Sequence, residues 1–479
     1  MINDYTLVLK TEAPLSPSKE YVLKLSGSSG GNEIKLPGEG TYEAYIRIGK
    51  FMDDLSASNP IIAENALHLG GIIIQKQASS VGDTGGSGSG SLRGTFPTTD
   101  ENPDKQVVLA DSLTSSKDGK VSIAIEGGKK QVLLPANAAE LLGNNQLVLE
   151  GPGISAAISP AVLQELKGLI SVESAQDAQI LFEANPLTDE ANQALIDKAR
   201  KQTPATLRQS GHVYELKLAI VTKDGKEMKL NNFSTPIELT MPYTTSADMS
   251  LLGIYYLNDQ GIPEYLPTEK KNGVLRATVQ HFSNYAALEY DLTFQDVTKT
   301  HWAFRMIKEM AAKHIVDGTE SGDFQPERAM TRAEFTALIT RSLGLKTSMP
   351  SSFGDIAPEA WYANAIAAAN QAGIIEGRGL NEFEPNSLIT REEMAAIIVR
   401  AYTSRYPSEL RSDQPTTFSD RASANDWALP YIDGASKAGL VHGRENNEFA
   451  PHDHMHRAEG TQIVFNLLNA SALQPASNH

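Results

Sequence analysis

Three arginines near the C-terminal end, Arg332, Arg391 and Arg457, recur at separations of 59 and 66 residues. A guanidinium group can bind a carboxylate through two parallel hydrogen bonds, so each arginine is a candidate anion-binding group. Each is predicted to lie in the first turn of a helix, where a cation opposes the helix dipole. A bound carboxylate, contacted by the guanidinium and by free backbone N–H groups, would explain this placement. An internal ion pair with a nearby Asp or Glu is the alternative.

Tryptophan, glycine and aspartate recur at the same two separations. A tryptophan at the start of a helix either packs in the core or stacks on the apolar face of a sugar ring. The glycines are predicted to end helices in a left-handed conformation and to let a ligand approach the backbone. The aspartates either cap local turns, which we favour, or accept hydrogen bonds from sugar hydroxyls. The recurring residues are Trp302, Trp361, Trp427, Gly318, Gly377, Gly443, Asp296, Asp355 and Asp420.

These residues are distributed over three copies of a helix–loop–helix unit. A Phe-x-Asp turn opens each copy, a first helix begins near the tryptophan, and a Phe-x-Pro loop leads to a second helix. The second helices begin at Thr331, Thr390 and His456, and both threonines have a glutamate three residues later, which is the spacing of a capping box. One unit of about 55 residues buries too little apolar surface to fold alone. We therefore expect the three copies to share one core and to form grooves between neighbours.

The three copies differ at positions that affect packing and capping. His456 replaces a threonine and is expected to weaken the third cap, while Gly460 replaces a bulky apolar residue and is expected to thin the third core. In the first copy, His314 stands where the others have glycine. One or two grooves are therefore expected to bind weakly. The alternating His452, His454 and His456 are interpreted as part of a solvated loop rather than as a metal site.

The repeated pattern resembles the S-layer homology (SLH) domain family over residues 291–470. The Phe-x-Asp opening, the tryptophan, an Ile-x-Gly or Val-x-Gly ending and a helix start of the type Thr-Arg-Ala-Glu, with Thr-Arg-Glu-Glu in the second copy and His-Arg-Ala-Glu in the third, recur together. The resemblance implies an α-helical, three-pronged pseudo-trimer with domains at 291–346, 347–410 and 411–472. It also implies non-covalent binding of a pyruvylated secondary cell wall polysaccharide in the grooves. In that reading arginine contacts the pyruvate carboxylate, while tryptophan and backbone groups hold the adjoining N-acetylated sugar, on the extracellular surface of a Gram-positive cell.

The preceding part of the chain is predicted to be β-rich. Residues 1–78 contain short β-like runs near 21–25 and 42–48, and residues 79–105 form a Gly/Ser-rich linker. Residues 106–290 are predicted to form one domain, Ig-like or β-sandwich-like, with short helices. The fold class is therefore multidomain, with β-rich domains followed by an α-helical three-repeat module.

Within that β-rich domain, local patterns predict a hairpin and two helices. Apolar residues alternate from Tyr214 to Ile220, and a turn at Asp224 precedes a second alternating run. Helices are predicted to begin after Ser159, where proline occupies the first turn, and at Thr188.

Composition restricts the classes of function. The chain has 479 residues, a formal net charge of -16 and no cysteine. The negative charge disfavours nucleic-acid binding, and the absence of cysteine removes thiol nucleophiles, disulfides and zinc–thiolate sites. No apolar run is long enough to cross a membrane, and the first residues lack a signal-peptide pattern, so we expect a mature form or a fragment of an exported protein.

We expect this chain to act by binding rather than by catalysis, without a cofactor or metal. Residues 1–290 contain no Gly-x-Ser-x-Gly, phosphate loop or His-Glu-x-x-His motif. The pattern brings no pair of carboxylates together for glycoside hydrolysis. Two alternatives stay open, a wall-bound glycan hydrolase and a self-assembling lattice subunit that contacts other copies of itself.

Overall fold

The chain divides into two compact units, Met1–Phe96 and Pro97–His479. In the first unit, strand β1 (Gly40–Ile46) pairs antiparallel with strand β2 (Leu67–Ile74). A computed structural model describes residues 40–46, 67–74, 104–244, 247–379, 381–406, 410 and 415–470.

Two sequence predictions fall partly or wholly outside the described residues. The β-like run at 42–48 overlaps β1, whereas the run at 21–25 lies outside. Nearly all of the linker predicted at 79–105 also lies outside the described part of the chain.

Residues 105–291 contain two β-sheets, which confirms the β-rich prediction for this part of the chain. Both sheets contribute to one hydrophobic core, including Leu134 and Leu218 from one sheet and Leu149 and Leu239 from the other. The strands are β3 (Lys105–Val107), β4 (Lys120–Ala124), β5 (Gln131–Pro135), β6 (Gln146–Gly151), β7 (Ile154–Ile158), β8 (Gln179–Pro186), β9 (Thr206–Val221), β10 (Glu227–Met228), β11 (Ile237–Pro242), β12 (Leu252–Leu257), β13 (Pro263–Leu266), β14 (Glu269–Lys271), β15 (Val274–Val279) and β16 (Asn284–Asp291).

The two sheets are predominantly antiparallel. The larger sheet has the order β13–β12–β16–β9–β8–β5–β3, with β10 paired to β9, and the smaller has the order β14–β15–β11–β7–β6–β4. Parallel pairing occurs between β3 and β5 and between β4 and β6.

The predicted hairpin and helices are present. Tyr214, Leu216, Leu218 and Ile220 are buried on one face of β9, and β10 pairs with its end after a turn in which Gly225 has a φ of +81°. The two predicted helices are α2 (Pro160–Lys167) and α3 (Asp189–Lys201), and a further helix, α1 (Ala138–Leu142), was not predicted.

The C-terminal region consists of three helix pairs, which confirms the predicted helix–loop–helix repeats. Thr331 and Thr390 form complete capping boxes with Glu334 and Glu393, as their spacing predicts. None of the helices in the described part of the chain is both long and apolar enough to span a bilayer. The helices are α4 (Phe304–Ala312), α5 (Arg332–Leu343), α6 (Ala363–Gln371), α7 (Arg391–Arg405), α8 (Leu429–Lys437) and α9 (Arg457–Asn469).

The three copies close on one another through the second helix of each pair. Helix α5 packs against α6, α7 against α8, and α9 returns to pack against α4. Backbone hydrogen bonds complete the cycle just before these helices, because Met330 donates to Met455, Met455 to Ile389 and Ile389 to Met330, at 2.8, 3.1 and 3.0 Å. The apolar residues of all three copies form one core, as expected from their small individual size.

The third copy is better packed than its sequence predicts. A Cβ atom at Gly460 would lie 3.0 Å from the sulfur of Met330 and 3.1 Å from the terminal methyl of Met455. These two side chains fill the space that glycine leaves, so the prediction of a thinned core is wrong. The backbone N–H of His456 still donates to Glu459 Oε2 at 3.0 Å, so the glutamate half of the capping box is kept.

The β-rich region contacts the first helix pair directly. The buried Tyr255 hydroxyl donates to the carbonyl of Ala312 at 2.6 Å, at the end of α4. Nearby, His314 packs edge-on against Tyr255 and Tyr290, with ring centroids 5.7 and 4.8 Å apart. The histidine that replaces a glycine in the first copy therefore belongs to this junction.

Candidate ligand-binding grooves

Each of the three repeated arginines reaches into the following copy of the repeat. Arg457 extends from the start of α9 to the first copy, where Nε donates to the carbonyl of Phe324 at 2.9 Å and Nη2 to that of Asp317 at 3.0 Å. Its guanidinium lies over the Phe324 ring, 4.8 Å from the centroid. The same pattern joins Arg332 to the second copy and Arg391 to the third.

The arginines are also paired with glutamates across the same boundaries. Arg332 Nη1 lies 3.3 Å from Glu393, and the equivalent group of Arg391 lies 3.3 Å from Glu459. Burial lowers the pKa of both guanidinium groups, and the neighbouring glutamate opposes this shift. The internal ion pair that the sequence left as an alternative is therefore present, and it keeps a largely buried cation compensated.

The expectation of free backbone N–H groups beside these arginines is wrong. In the first copy, the N–H groups of Arg332 and Ala333 donate to the carbonyls of Ser387 and Pro385 at 2.9 and 3.0 Å. The next N–H group, that of Glu334, donates to the capping threonine. Equivalent bonds occupy the first N–H groups of α7 and α9. The neighbouring loop, rather than a ligand, therefore satisfies the start of each helix.

The aspartates hold the Phe-x-Pro loops. The two carboxylate oxygens of Asp296 accept from the backbone N–H groups of Phe324 and Gln325, at 2.8 and 2.5 Å. Gln325 has a φ of +59°, so these bonds support a backbone conformation that side-chain-bearing residues rarely adopt. Asp355 and Asp420 make the same pair of bonds, which is the turn-capping role favoured from the sequence.

The prediction that Gly318, Gly377 and Gly443 have a left-handed conformation is wrong. None of these three has a positive φ. A Cβ atom at Gly318 would lie 2.8 Å from the ring of Phe294, the aromatic residue that opens the first copy. Glycine is therefore needed here for close packing. The left-handed residues after the first helices are His314, Gly373 and Gly439, with φ values of 52°, 69° and 65°.

All three tryptophans are on the surface. Trp302, Trp361 and Trp427 are 60%, 63% and 49% exposed. This exposure favours a role in contacting a ligand over packing in the core. Trp361 of the second copy lines a groove of about 210 Å³ together with Gly318 of the first copy and Arg457 of the third. The structure thus brings together a predicted tryptophan, a predicted glycine and a predicted arginine, one from each copy. The predicted aspartate Asp296 does not line this groove.

We name this space the first groove and define the second and third by their equivalent loop and arginine. The first contains Gly318 and Arg457. The second lies where Arg332 Nη2 donates to the carbonyl preceding Gly377, and the third where Arg391 Nη2 donates to the carbonyl preceding Gly443.

A family model for the S-layer homology domain matches residues 293–336, 352–395 and 417–459. Residues 293–459 contain three SLH domains. The three matched segments coincide with the three copies of the helix–loop–helix unit, and the grooves lie at the boundaries between these SLH domains.

Proteins similar to this chain include both glycosidases and surface-layer proteins. An amylopullulanase of Thermoanaerobacterium thermosulfurigenes is 42% identical over 240 residues, 49% of this chain and 13% of that protein. An exoglucanase, XynX, of Acetivibrio thermocellus is 38% identical over 220 residues, 46% of this chain and 19% of that protein. The S-layer protein sap of Bacillus anthracis is 33% identical over 175 residues, 36% of this chain and 21% of that protein. The chain therefore spans a minor part of each relative, and the SLH domains and S-layer relatives indicate a location on the outer cell surface.

Sequence reasoning missed two further arginines of the first groove. Arg328 pairs with Glu334 at 2.5 Å, and Arg341 pairs with Asp317 at 2.8 Å. Arg341 occupies the third turn of the second helix of its SLH domain, and Arg400 follows it by the repeat separation of 59 residues. This spacing could have identified Arg341 from the sequence, because it equals the separation of the other repeated residues in the first two copies.

The alternating histidines of the third SLH domain face ordinary polar partners. His452 Nε2 lies 2.8 Å from the carbonyl of Ser423, and His456 Nδ1 lies 3.4 Å from Glu327. Within the described residues, no three His, Asp or Glu side chains are placed to hold a metal ion.

Proposed function

We propose that the SLH domains hold this chain non-covalently on a pyruvylated secondary cell wall polysaccharide. The observation that carries the proposal is the first groove, which combines a guanidinium, a glycine-lined loop and an exposed tryptophan from three SLH domains. The similarity to S-layer proteins supports a role in attachment to the cell wall.

The chemistry of the first groove fits an acidic sugar. Arg457 Nε and Nη2 are committed to backbone carbonyls, but Nη1 lies 3.7 Å from Glu334, beyond hydrogen-bond distance. This nitrogen and the partly exposed Arg341 can donate to a carboxylate. A charge-assisted hydrogen bond of this kind contributes about 1.5–3 kcal/mol, and the face of Trp361 offers a surface for the sugar ring.

The sequence predicts that the three repeated arginines bind the carboxylate directly, whereas most of their donors contact carbonyls of the following SLH domain. These arginines order the groove by tying adjacent SLH domains together, and in the first groove Nη1 of Arg457 remains available to a ligand. The three-pronged pseudo-trimer implied by the resemblance fits the cyclic packing of the helices, in which the same arginine contacts recur at each domain boundary. Binding at more than one groove of a single polymer would add avidity.

A sedimentation assay with purified cell wall sacculi tests the proposal. Sacculi carrying pyruvylated polymer should retain the full chain, and sacculi from which mild acid has removed the ketal pyruvate should lose it. A polymer whose ketals were removed and chemically restored provides the matched control. Equal retention on intact and pyruvate-free walls would contradict the proposal.

We propose that the chain itself is not an enzyme, while the relatives favour one specific alternative. An amylopullulanase and an exoglucanase are each similar to nearly half of this chain. The same SLH domains could therefore anchor a wall-bound glycan-active protein. Incubating the chain with wall polysaccharides and measuring new reducing ends separates the two readings. Release of reducing ends above a heat-inactivated sample would favour the glycan hydrolase.

A further inference from the structure

The three grooves differ at the residue that follows the repeated glycine. This residue is Thr319 in the first SLH domain, Arg378 in the second and Arg444 in the third. The Thr319 hydroxyl turns back to its own loop, where it lies 3.1 Å from the carbonyl of Asp323 and 2.8 Å from Ser321 Oγ. It leaves the first groove open.

The two arginines at this position form ion pairs at the corresponding loops. Arg378 contacts both oxygens of Glu393, at 2.6 and 2.7 Å, and donates to Glu384 at 2.6 Å. Arg444 contacts Glu459 at 3.0 Å and Asp453 at 2.6 Å. In both cases a guanidinium from the loop lies against the capping-box glutamate. In the first SLH domain that glutamate is neutralised from the Phe-x-Pro loop instead.

The charges in the ion pairs also distinguish the first groove from the second and third. The first has three arginines and two carboxylates in its ion pairs, the second has three of each, and the third has two of each. Among the groups in these ion pairs, the first groove therefore has one more positive than negative charge, whereas the other two are balanced. The groups are Arg328, Arg341, Arg457, Asp317 and Glu334 in the first; Arg332, Arg378, Arg400, Glu376, Glu384 and Glu393 in the second; and Arg391, Arg444, Asp453 and Glu459 in the third.

We infer that the first groove is the principal binding site for the acidic sugar, and that the residue after the repeated glycine determines whether a groove accepts it. This inference rests on the proposed function and adds which groove performs it. The third groove is the least suited, because Asn466 stands where Arg341 and Arg400 stand in the other SLH domains, and it donates to the carbonyl of Leu440 at 3.0 Å.

The decisive substitution copies the second and third grooves into the first. In the full chain, Thr319→Arg should place a guanidinium beside Glu334 and fill the open space. Isothermal titration with soluble pyruvylated wall polysaccharide should show at least tenfold weaker binding. Arg378→Thr and Arg444→Thr are the matched controls; because they remove the arginine that closes the second or third groove, neither should weaken binding by more than threefold relative to the parent chain.

A second pair of variants protects the test against misfolding. Arg341→Gln removes the excess charge at an exposed position and should weaken binding at least fivefold, whereas Arg400→Gln, at the equivalent position of the second groove, should not. Circular dichroism and the thermal midpoint establish that each variant is folded. If Thr319→Arg fails to fold, the comparison of Arg341→Gln with Arg400→Gln decides.

The outcomes separate this inference from the proposed function. If the parent chain binds pyruvate-free polymer as tightly as pyruvylated polymer, the proposed function fails. If binding requires pyruvate but the first-groove variants bind within twofold of the parent chain, or no more weakly than their matched controls, only the inference is overturned.

Discussion

The β-rich region and the SLH domains are stabilised by different interactions. In the β-rich region, sheet hydrogen bonds pair the backbone and the core is apolar; among its described residues, Ser210 and Glu289 are the buried polar or charged ones. The SLH domains bury more polar and charged side chains, and four of them, Arg332, Thr340, Arg391 and Glu392, contact a neighbouring copy. In the described part of these domains, the buried polar and charged residues are Arg332, Thr336, Thr340, Arg391, Glu392, Asp433 and Thr461.

This difference follows from how each region obtains its core. A pair of sheets can bury continuous apolar faces, whereas a helix–loop–helix unit of this size must recruit its neighbours. Hydrogen bonds from a guanidinium to defined carbonyls fix the orientation of those neighbours. Apolar contacts alone would fix it less strictly. The consequence is sensitivity, because removing one donor leaves several buried acceptors without a partner.

The strongest test of this contrast removes one arginine between SLH domains. Arg391 is 4% exposed and donates to the carbonyls of Phe449 and His442 at 2.7 and 3.3 Å. Arg391→Ala should lower the free energy of unfolding by about 2–4 kcal/mol, since two acceptors lose their donor at about 1–3 kcal/mol each. Urea denaturation, followed by tryptophan fluorescence, measures the effect directly, because all three tryptophans belong to this region.

Two further variants serve as comparisons for Arg391→Ala. Arg391→Lys should not restore stability, because an ammonium group cannot reproduce the planar fork that spans the two carbonyls. Arg341→Ala, at an exposed site with one ion pair to Asp317, should change the free energy of unfolding by less than about 1 kcal/mol. A loss at Arg391 no greater than that at Arg341 would refute the structural role.

A smaller effect is expected where the two regions meet. Tyr255→Phe removes the buried hydrogen bond to the carbonyl of Ala312 and should destabilise the chain by about 1–2 kcal/mol. Tyr243→Phe is the matched control, since its hydroxyl makes no hydrogen bond among the described residues. Thermal unfolding monitored separately by near- and far-ultraviolet circular dichroism should show that Tyr255→Phe separates transitions that coincide in the parent chain. Coincident transitions at an unchanged midpoint would contradict this coupling.

Local features of the fold could be predicted, and contacts between distant segments could not. The buried face of β9 and the capping boxes at Thr331 and Thr390 depend on residues a few positions apart, so their patterns are visible in the sequence. The cycle of backbone bonds through Met330, Ile389 and Met455 joins three separate segments, and no local pattern encodes it.

The candidate site shows the same division. Repetition identified the arginines, tryptophans and glycines, but the reason for each depended on its three-dimensional neighbours. Gly318 is small because the ring of Phe294 packs on it, not because its backbone is left-handed. Thr319 went unnoticed because a residue that differs between copies is invisible to a search for what is repeated.

The smallest expected effect comes from His314, the junction residue that replaces glycine in the first copy. Burial lowers the pKa of this histidine, against the opposing influence of Asp317 and Glu264. The unfolded chain therefore binds the proton first, so stability should fall as the pH decreases from about 6.5 toward the folded-state pKa. His314→Gly should remove this part of the pH dependence while keeping a backbone conformation that glycine readily adopts. Urea denaturation at several pH values between 5 and 8 compares the two slopes, and the contributions of the other histidines cancel in the difference. Identical slopes would mean that the junction tolerates a charged imidazole, and that its packing against Tyr255 and Tyr290 does not enforce the neutral form.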